Sequence, residues 1–279
     1  MKNLTKKKKI TIISVVLAVI ALILAVVLIV KGRSNNVEVI VEEPARRRIS
    51  EPVNVIPVSE RPYVSILPLP DNTHLTIKIL QLNKPATESD YVLEYQSGTS
   101  LKGAEGLIYL ASLPATEEVF LGTCSAGGAC TYDREITGGN LLLRFTGDES
   151  YAVKTNWRYI ENTDRSDEIA SWDAKFQLQS PALAAIRYSI VFNSPGIPSG
   201  LDNLLDSEDE PKLIADHYAL TASSALQGTG ELTIRLIEES PTAQIVGYNG
   251  DEWVSFETET EGKEAKAQVE LMELYTVIE

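Results

Sequence analysis

Few residues in this 279-residue chain could do chemistry, and their spacing narrows what that chemistry could be. Nucleophilic hydrolysis needs a serine, a histidine and an acid brought together, and the sequence offers only His74 and His217 as bases. His74 follows Asn72 and Thr73 at what reads as the entrance to a strand, and His217 stands between Asp216 and Tyr218; both read as ordinary surface or strand-end side chains. No G-x-S-x-G elbow, HExxH pair or phosphate-cradling glycine loop occurs. Two histidines cannot build a histidine-rich zinc site, which leaves carboxylates as metal ligands. The acid-rich stretch carrying Asp202, Asp206, Glu208 and Asp209 could turn several oxygens toward Ca²⁺. It lacks the central glycine of an EF-hand loop, so it reads first as a solvated charge run. Neighbouring acids such as Glu117 and Glu118, or Asp251 and Glu252, give no reason to set two carboxyl groups across a sugar. The expectation is a chain with no catalytic residues, no dedicated metal ligands and no cofactor.

Cys124 and Cys130 are the only cysteines, and they bracket the small residues Ser125, Ala126, Gly127, Gly128 and Ala129. In an oxidising compartment such a pair reads as a disulfide closing a hairpin tip; a redox couple or half a metal site would want further Cys or His. Gly127 and Gly128 at that tip are candidate partner contacts, because loops held on a rigid scaffold carry recognition. Trp172, just ahead of the second series of strands, is a third candidate, either exposed or lodged between domains.

These residues need elements to position them, and the periodicity supplies strands. From Tyr63 onward apolar and polar residues alternate with period two, as in half-buried strands, for example Leu75, Ile77 and Ile79 around Thr76 and Lys78. Further runs fall at residues 91–95, 107–113, 119–124, 141–145 and 151–157. After the charged stretch at 161–168 come 175–179, 187–192, 217–222, 231–237, 243–248, 252–257 and 267–277. Asn249-Gly250 is the strongest short hairpin signal, since a type I′ turn wants two residues tolerant of positive φ. Residues 180–186 are the one competing helix, too short to stand alone. Leu101, Gly103, Leu107 and Gly122 recur 125 positions later as Leu226, Gly228, Leu232 and Gly247, which suggests a tandem duplication. The reading is all-β: two tandem immunoglobulin-like sandwiches, at residues 63–162 and 168–279, without the Cys…Trp…Cys core spacing of true immunoglobulins.

What precedes the strands sets the location. Residues 10–30, opening on Ile10 and closing on Val30, are Ile, Val, Leu and Ala interrupted only by Thr11 and Ser14. As a helix this run reaches about 31 Å, the hydrocarbon thickness of a bilayer. Residues 1–33 hold seven Lys and Arg and no acid, leaving eighteen basic against thirty-nine acidic residues in the remainder. The positive-inside rule then puts a basic tail, residues 1–9, in the cytoplasm and the C-terminal part outside, a single-pass signal-anchor arrangement in the cell membrane. A cleaved signal would have a shorter apolar core and a small-residue cleavage site. Residues 31–62, punctuated by Pro44, Pro52, Pro57 and Pro62 and carrying Arg46, Arg47 and Arg48, read as an extended stalk. The only Asn-x-Ser/Thr triplet begins at Asn3, on the cytoplasmic side, which favours a prokaryotic source.

So acidic an ectodomain repels phosphate backbones, which excludes nucleic acid as a partner class. The layout resembles bacterial surface proteins built as anchor, stalk and tandem β-sandwich, a likeness of architecture that assigns no residue a role. The expected function is a membrane-anchored cell-surface protein with a non-enzymatic binding, adhesion or envelope-assembly role toward an extracellular protein or glycan. The alternative is a carbohydrate-binding or carbohydrate-processing ectodomain in which Trp172 or Trp253 stacks on a sugar.

Overall fold

Alternating runs joined by tight turns pair with their neighbours, and in this chain they do so on a larger scale than the turns alone suggest. The computed structural model describes residues 52–204 and 211–279. A central sheet of nine strands has the spatial order β16 (Trp253–Ser255), β15 (Gln244–Tyr248), β19 (Leu274–Ile278), β13 (Tyr218–Ala222), β12 (Tyr188–Asn193), β9 (Tyr151–Glu161), β8 (Ile136–Thr146), β3 (Glu88–Ser97) and β4 (Ser100–Tyr109). A three-stranded sheet orders β1 (Tyr63–Pro68), β2 (His74–Gln81) and β5 (Ala115–Phe120). A five-stranded sheet orders β10 (Glu168–Ala170), β11 (Phe176–Gln179), β14 (Thr229–Arg235), β18 (Glu264–Glu270) and β17 (Thr258–Glu261). A separate hairpin pairs β6 (Gly122–Cys124) with β7 (Cys130–Tyr132).

Successive side chains of a strand point to opposite faces, so the parity of each central strand decides which core it feeds. On β12, Ile190 and Phe192 enter one core with Leu93, Leu143 and Trp157, which packs against Ile66, Leu75 and Ile77 of the three-stranded sheet. Val191, between them, enters a second core with Tyr218, Leu220, Tyr275 and Val277, packed against Phe176, Leu232 and Ile234 of the five-stranded sheet. β13 and β19 are therefore buried along their whole length, whereas β3 buries Tyr91, Leu93 and Tyr95 and leaves the alternate positions more open. The result is three layers where the central sheet carries β12, β13, β19 and β15, and two layers where it carries β8, β3 and β4.

The all-β expectation holds, and the sandwiched sheets with it. The division at residues 162–168 does not. β9 of the first half pairs with β12 of the second along Tyr188↔Glu161 to Phe192↔Trp157, and residues Glu51–Glu279 form one compact unit. Two separate sandwiches would leave that seam as two sheet edges; joining them satisfies the backbone groups of both. The repeated residues also occupy different places. Leu101 lies exposed on β4 whereas Leu226 sits in the loop before β14, and Gly122 opens the small hairpin whereas Gly247 lies within β15.

Other expectations shift locally. The single strand expected at 267–277 breaks at Leu271, Met272 and Glu273, where the chain passes from the five-stranded sheet to the central one. Asn249-Gly250 does turn a hairpin, but as a four-residue loop: the Asn249 carboxamide oxygen accepts from the N–H groups of Asp251 and Glu252, both at 2.9 Å. Pro181–Ala185 forms a short 3₁₀ turn capped by the Ser180 hydroxyl, which accepts from the Ala182 N–H. The described end of the expected stalk, residues 52–62, is part of the folded unit. Asn54, at φ 57°, donates its side-chain N–H to the Lys154 carbonyl at 2.8 Å and accepts from the Lys154 N–H at 3.0 Å. Arg61 donates to the carbonyls of Asn54, Ile56 and Pro195, folding the prolines back onto the sheet rather than extending them. Among the described residues no helix is long and apolar enough to cross a membrane; the expected span at 10–30, the basic tail and the rest of the stalk lie outside them.

Candidate functional site

The two cysteines meet where the sequence placed them. β6 and β7 pair as Gly122↔Tyr132, Thr123↔Thr131 and Cys124↔Cys130, and the Cys124–Cys130 disulfide closes the hairpin. Its turn is held by Ser125 N–H to the Ala129 carbonyl and Gly128 N–H to the Ser125 carbonyl, both 2.9 Å. Gly128 sits at φ 83°, which a side chain would resist. Every residue from Thr123 to Tyr132 is exposed, and none belongs to either core.

An order that burial does not supply has to come from the base. Gly122 allows the crossing, because a Cβ there would lie 2.4 Å from the Thr131 carbonyl oxygen. Asp133 then clamps the returning strand: its N–H donates to the Leu121 carbonyl, and its carboxylate accepts from the Tyr95 hydroxyl at 2.7 Å and faces Lys102 Nζ at 3.5 Å. Burial, and then that carboxylate, push the Tyr95 pKa above the usual phenol range, so the hydroxyl remains a donor. Tyr132 packs edge-on against Phe120, with ring centres 5.6 Å apart, and Phe120 lies 5.2 Å from His74.

His74 is the better placed of the two histidines for chemistry, and it falls short. Nδ1 lies 2.6 Å from Asp71 Oδ2 and 2.9 Å from Thr73 Oγ1, while Nε2 faces Glu118 Oε1 at 3.8 Å. Burial pushes the Asp71 carboxyl up, but hydrogen bonds from the Thr73 backbone and hydroxyl and from His74 prevail and hold it at about 2. The orienting acid of a catalytic triad is thus present, but the far nitrogen meets a carboxylate instead of a nucleophilic hydroxyl. His217 is buried, with Nδ1 2.8 Å from Thr276 Oγ1, and desolvation, offset in part by Asp216, lowers its pKa to about 4. The imidazole is therefore neutral and buried directly ahead of β13.

A groove of about 570 Å³ is lined by residues of β1, β2 and β13 and of the loops that follow β13, β15 and β18. Its lining includes Lys78 and Leu80 of β2, Ser223 and Ser224 after β13, Asn249 and Glu273. Surrounding protein desolvates the Glu273 carboxyl and pushes its pKa up; Lys78 opposes that shift and Asp251 adds to it. One amine, one carboxyl, an amide and several hydroxyls suit a polar ligand, without the paired acid and base that hydrolysis of a glycoside needs.

Trp172 is exposed, at 57 %; its indole N–H donates to the Trp157 carbonyl at 3.0 Å and the Arg158 guanidinium lies 5.6 Å from its ring centre. These partners belong to β9, so Trp172 and the glycine tip are held by different elements. Trp253 is buried with its ring 5.4 Å from Tyr248, which removes it as a platform for a sugar. Asp202 lies in the 3₁₀ turn Leu201–Leu204; Asp206, Glu208 and Asp209 lie outside the described residues, among which no group of three or more His, Cys, Asp or Glu is arranged to hold a metal. Sequence reasoning missed Asp133, Tyr95, Lys78 and Glu273. Of these only Asp133 carried a signal, an acid directly behind the strand that closes the disulfide hairpin.

No protein-family model, curated protein or solved structure matches the chain.

Proposed function

We propose that this chain is a membrane-anchored cell-surface protein with a non-enzymatic role in binding, adhesion or envelope assembly, its N-terminus cytoplasmic and its strands outside, contacting an extracellular protein or glycan through the hairpin tip. The observation that carries the reading is the tip itself. Ten consecutive residues, Thr123 to Tyr132, stand exposed, closed by a disulfide and clamped at the base by Asp133, although they add nothing to either core. Holding a loop rigid without burying it lowers the ordering cost of docking a partner. The disulfide accords with an oxidising compartment, and the apolar run at 10–30 accords with an anchor. The ectodomain in this reading is a layered sandwich and not a pair of separable immunoglobulin-like units, because the β9–β12 seam is hydrogen-bonded.

A carbohydrate-binding ectodomain is the second reading, favoured by the groove with Lys78, Asn249, Ser223 and Glu273. One experiment separates the two. The full chain, displayed on cells, is tested for adhesion to envelope fragments and on a glycan array, alongside a variant with residues 125–129 replaced by a two-residue turn and an Asn249→Ala variant. Adhesion lost with the tip and kept in Asn249→Ala supports the first reading. Glycan binding lost in Asn249→Ala and indifferent to the tip supports the second. Protease treatment of intact cells that spares the strands would refute the outward orientation on which both rest.

A further inference from the structure

Sheet edges invite pairing, and proteins usually blunt them with short strands, proline, bulges or inward charges. Most edges here are blunted. β16 and β10 have three residues, β17 has four, and β1 ends on Pro68. β4 is different. It runs ten residues, Ser100–Tyr109, without proline or bulge, and pairs with β3 alone.

The backbone phase of β4 follows from its hairpin. Ser97 and Ser100 close a two-residue turn and the Leu110 N–H donates to the Thr87 carbonyl, so even-numbered residues bond inward to β3. The N–H and C=O groups of Leu101, Gly103, Glu105, Leu107 and Tyr109 therefore point outward, and among the described residues no hydrogen bond takes them up. The same odd-numbered side chains lie on the sheet face that neither small sheet covers, where Leu101 is 69 % and Tyr109 70 % exposed. On the other face Ile108 is buried and Ala104 packs on the core.

We propose that β4 is a homodimer interface, pairing antiparallel with β4 of a second copy about a two-fold axis through Ala104. The sequence of the strand selects both the occupant and the register. A two-fold normal to the sheet brings residues together whose numbers share an even sum. With the axis at Ala104, Leu101 faces Leu107 of the second copy twice, Lys102 faces Gly106, Gly103 faces Glu105 and Ala104 faces itself. Each charged side chain then meets a glycine, the Leu101–Leu107 apolar pairs lie on the open face, and about eight new backbone hydrogen bonds form. Moving the axis to Glu105 sets two carboxylates against each other, and moving it to Gly103 sets Leu101 against Glu105; both are disfavoured. The central sheets of the two copies become continuous, and the long open edge disappears in each.

The test uses the full chain in detergent, with mass measured across a concentration series by sedimentation and thiol cross-linking read on non-reducing gels. All native cysteines are in the Cys124–Cys130 bond, so new thiols report alone. In the proposed register Ala104 and its mate form a non-hydrogen-bonded pair with Cα atoms about 4.5 Å apart, within disulfide reach. Ala104→Cys should cross-link to a covalent dimer and Glu105→Cys should not. Leu101→Lys, at an exposed position, should raise the dimer Kd about tenfold by losing two symmetric pairs. Glu105→Pro, which removes an outward N–H and leaves the β3 ladder whole, should give monomer. A wild-type chain that is monomeric at every concentration overturns the proposal. So does a dimer that ignores Leu101→Lys and Glu105→Pro and fails to cross-link through Ala104→Cys, as association through another surface would.

Discussion

Phe192 lies across from Trp157 at the β12–β9 seam, and both are fully buried in the core that faces the three-stranded sheet. Phe192→Ala removes the ring where the two halves of the chain are joined. A buried Phe→Ala substitution costs about 3–5 kcal/mol through lost burial and the cavity left behind. For a folded unit of this size, with a urea m-value of roughly 3 kcal/mol/M, the unfolding midpoint should drop by about 1 M or more. The decisive reading is which parts respond. Variants that keep only Trp157 or only Trp253 place a fluorescence reporter in each half. Because β9 and β12 share one sheet, both reporters should give a single coincident transition, shifted together by Phe192→Ala. Two separate transitions, of which only the Trp253 one moves, would refute the shared sheet as a cooperative unit and restore independent halves.

Three further outcomes follow from the same geometry. His217 is held neutral at a pKa of about 4 against an unfolded value near 6.5, so the unfolded chain binds the extra proton between those values and stability should be full above pH 6.5, falling by up to about 3 kcal/mol toward pH 4; denaturant midpoints across that window should flatten in His217→Gln. Replacing Cys124 and Cys130 by serine releases a loop worth about 2 kcal/mol by chain entropy, but the hairpin lies outside both cores, so the cost should appear as faster hydrogen exchange and proteolysis at residues 123–131 with a global unfolding free energy changed by less than about 1 kcal/mol. Arg61→Ala abandons three carbonyls at the base of the folded unit and should destabilise by about 2–3 kcal/mol, read as loss of exchange protection at residues 52–62 before the central sheet opens.

The candidate site was partly legible. A small-residue loop between two cysteines announces a closed hairpin wherever it falls in a fold, since ring size and glycine content are local properties. The clamp on that hairpin was not, because Tyr95 and Asp133 are 38 positions apart and meet only through the β3–β8 ladder. The same contrast separates Trp172 from Trp253. Both are isolated indoles in the sequence, and only tertiary packing makes Trp253 part of the core and leaves Trp172 on the surface.

By itself the sequence determined that the chain is made of strands, where most of them run, that the cysteines close a tip, and that charge is divided between a basic N-terminus and an acidic remainder. Those properties depend on neighbours within a few residues: side-chain parity, turn chemistry and composition. Only the tertiary structure decided that the strands form layers around one shared sheet. Period two says that a strand has two faces but not what each face meets, and a turn names its own two strands but not the partners on their far edges. The run at 274–278, uncharged and apolar except for Thr276, was a local hint, since a strand without a charged face can be covered on both sides. The Cys124–Cys130 closure was visible in the sequence because it depends only on the residues between the two cysteines. The β9–β12 seam was not, because it exists only once both halves have folded against each other.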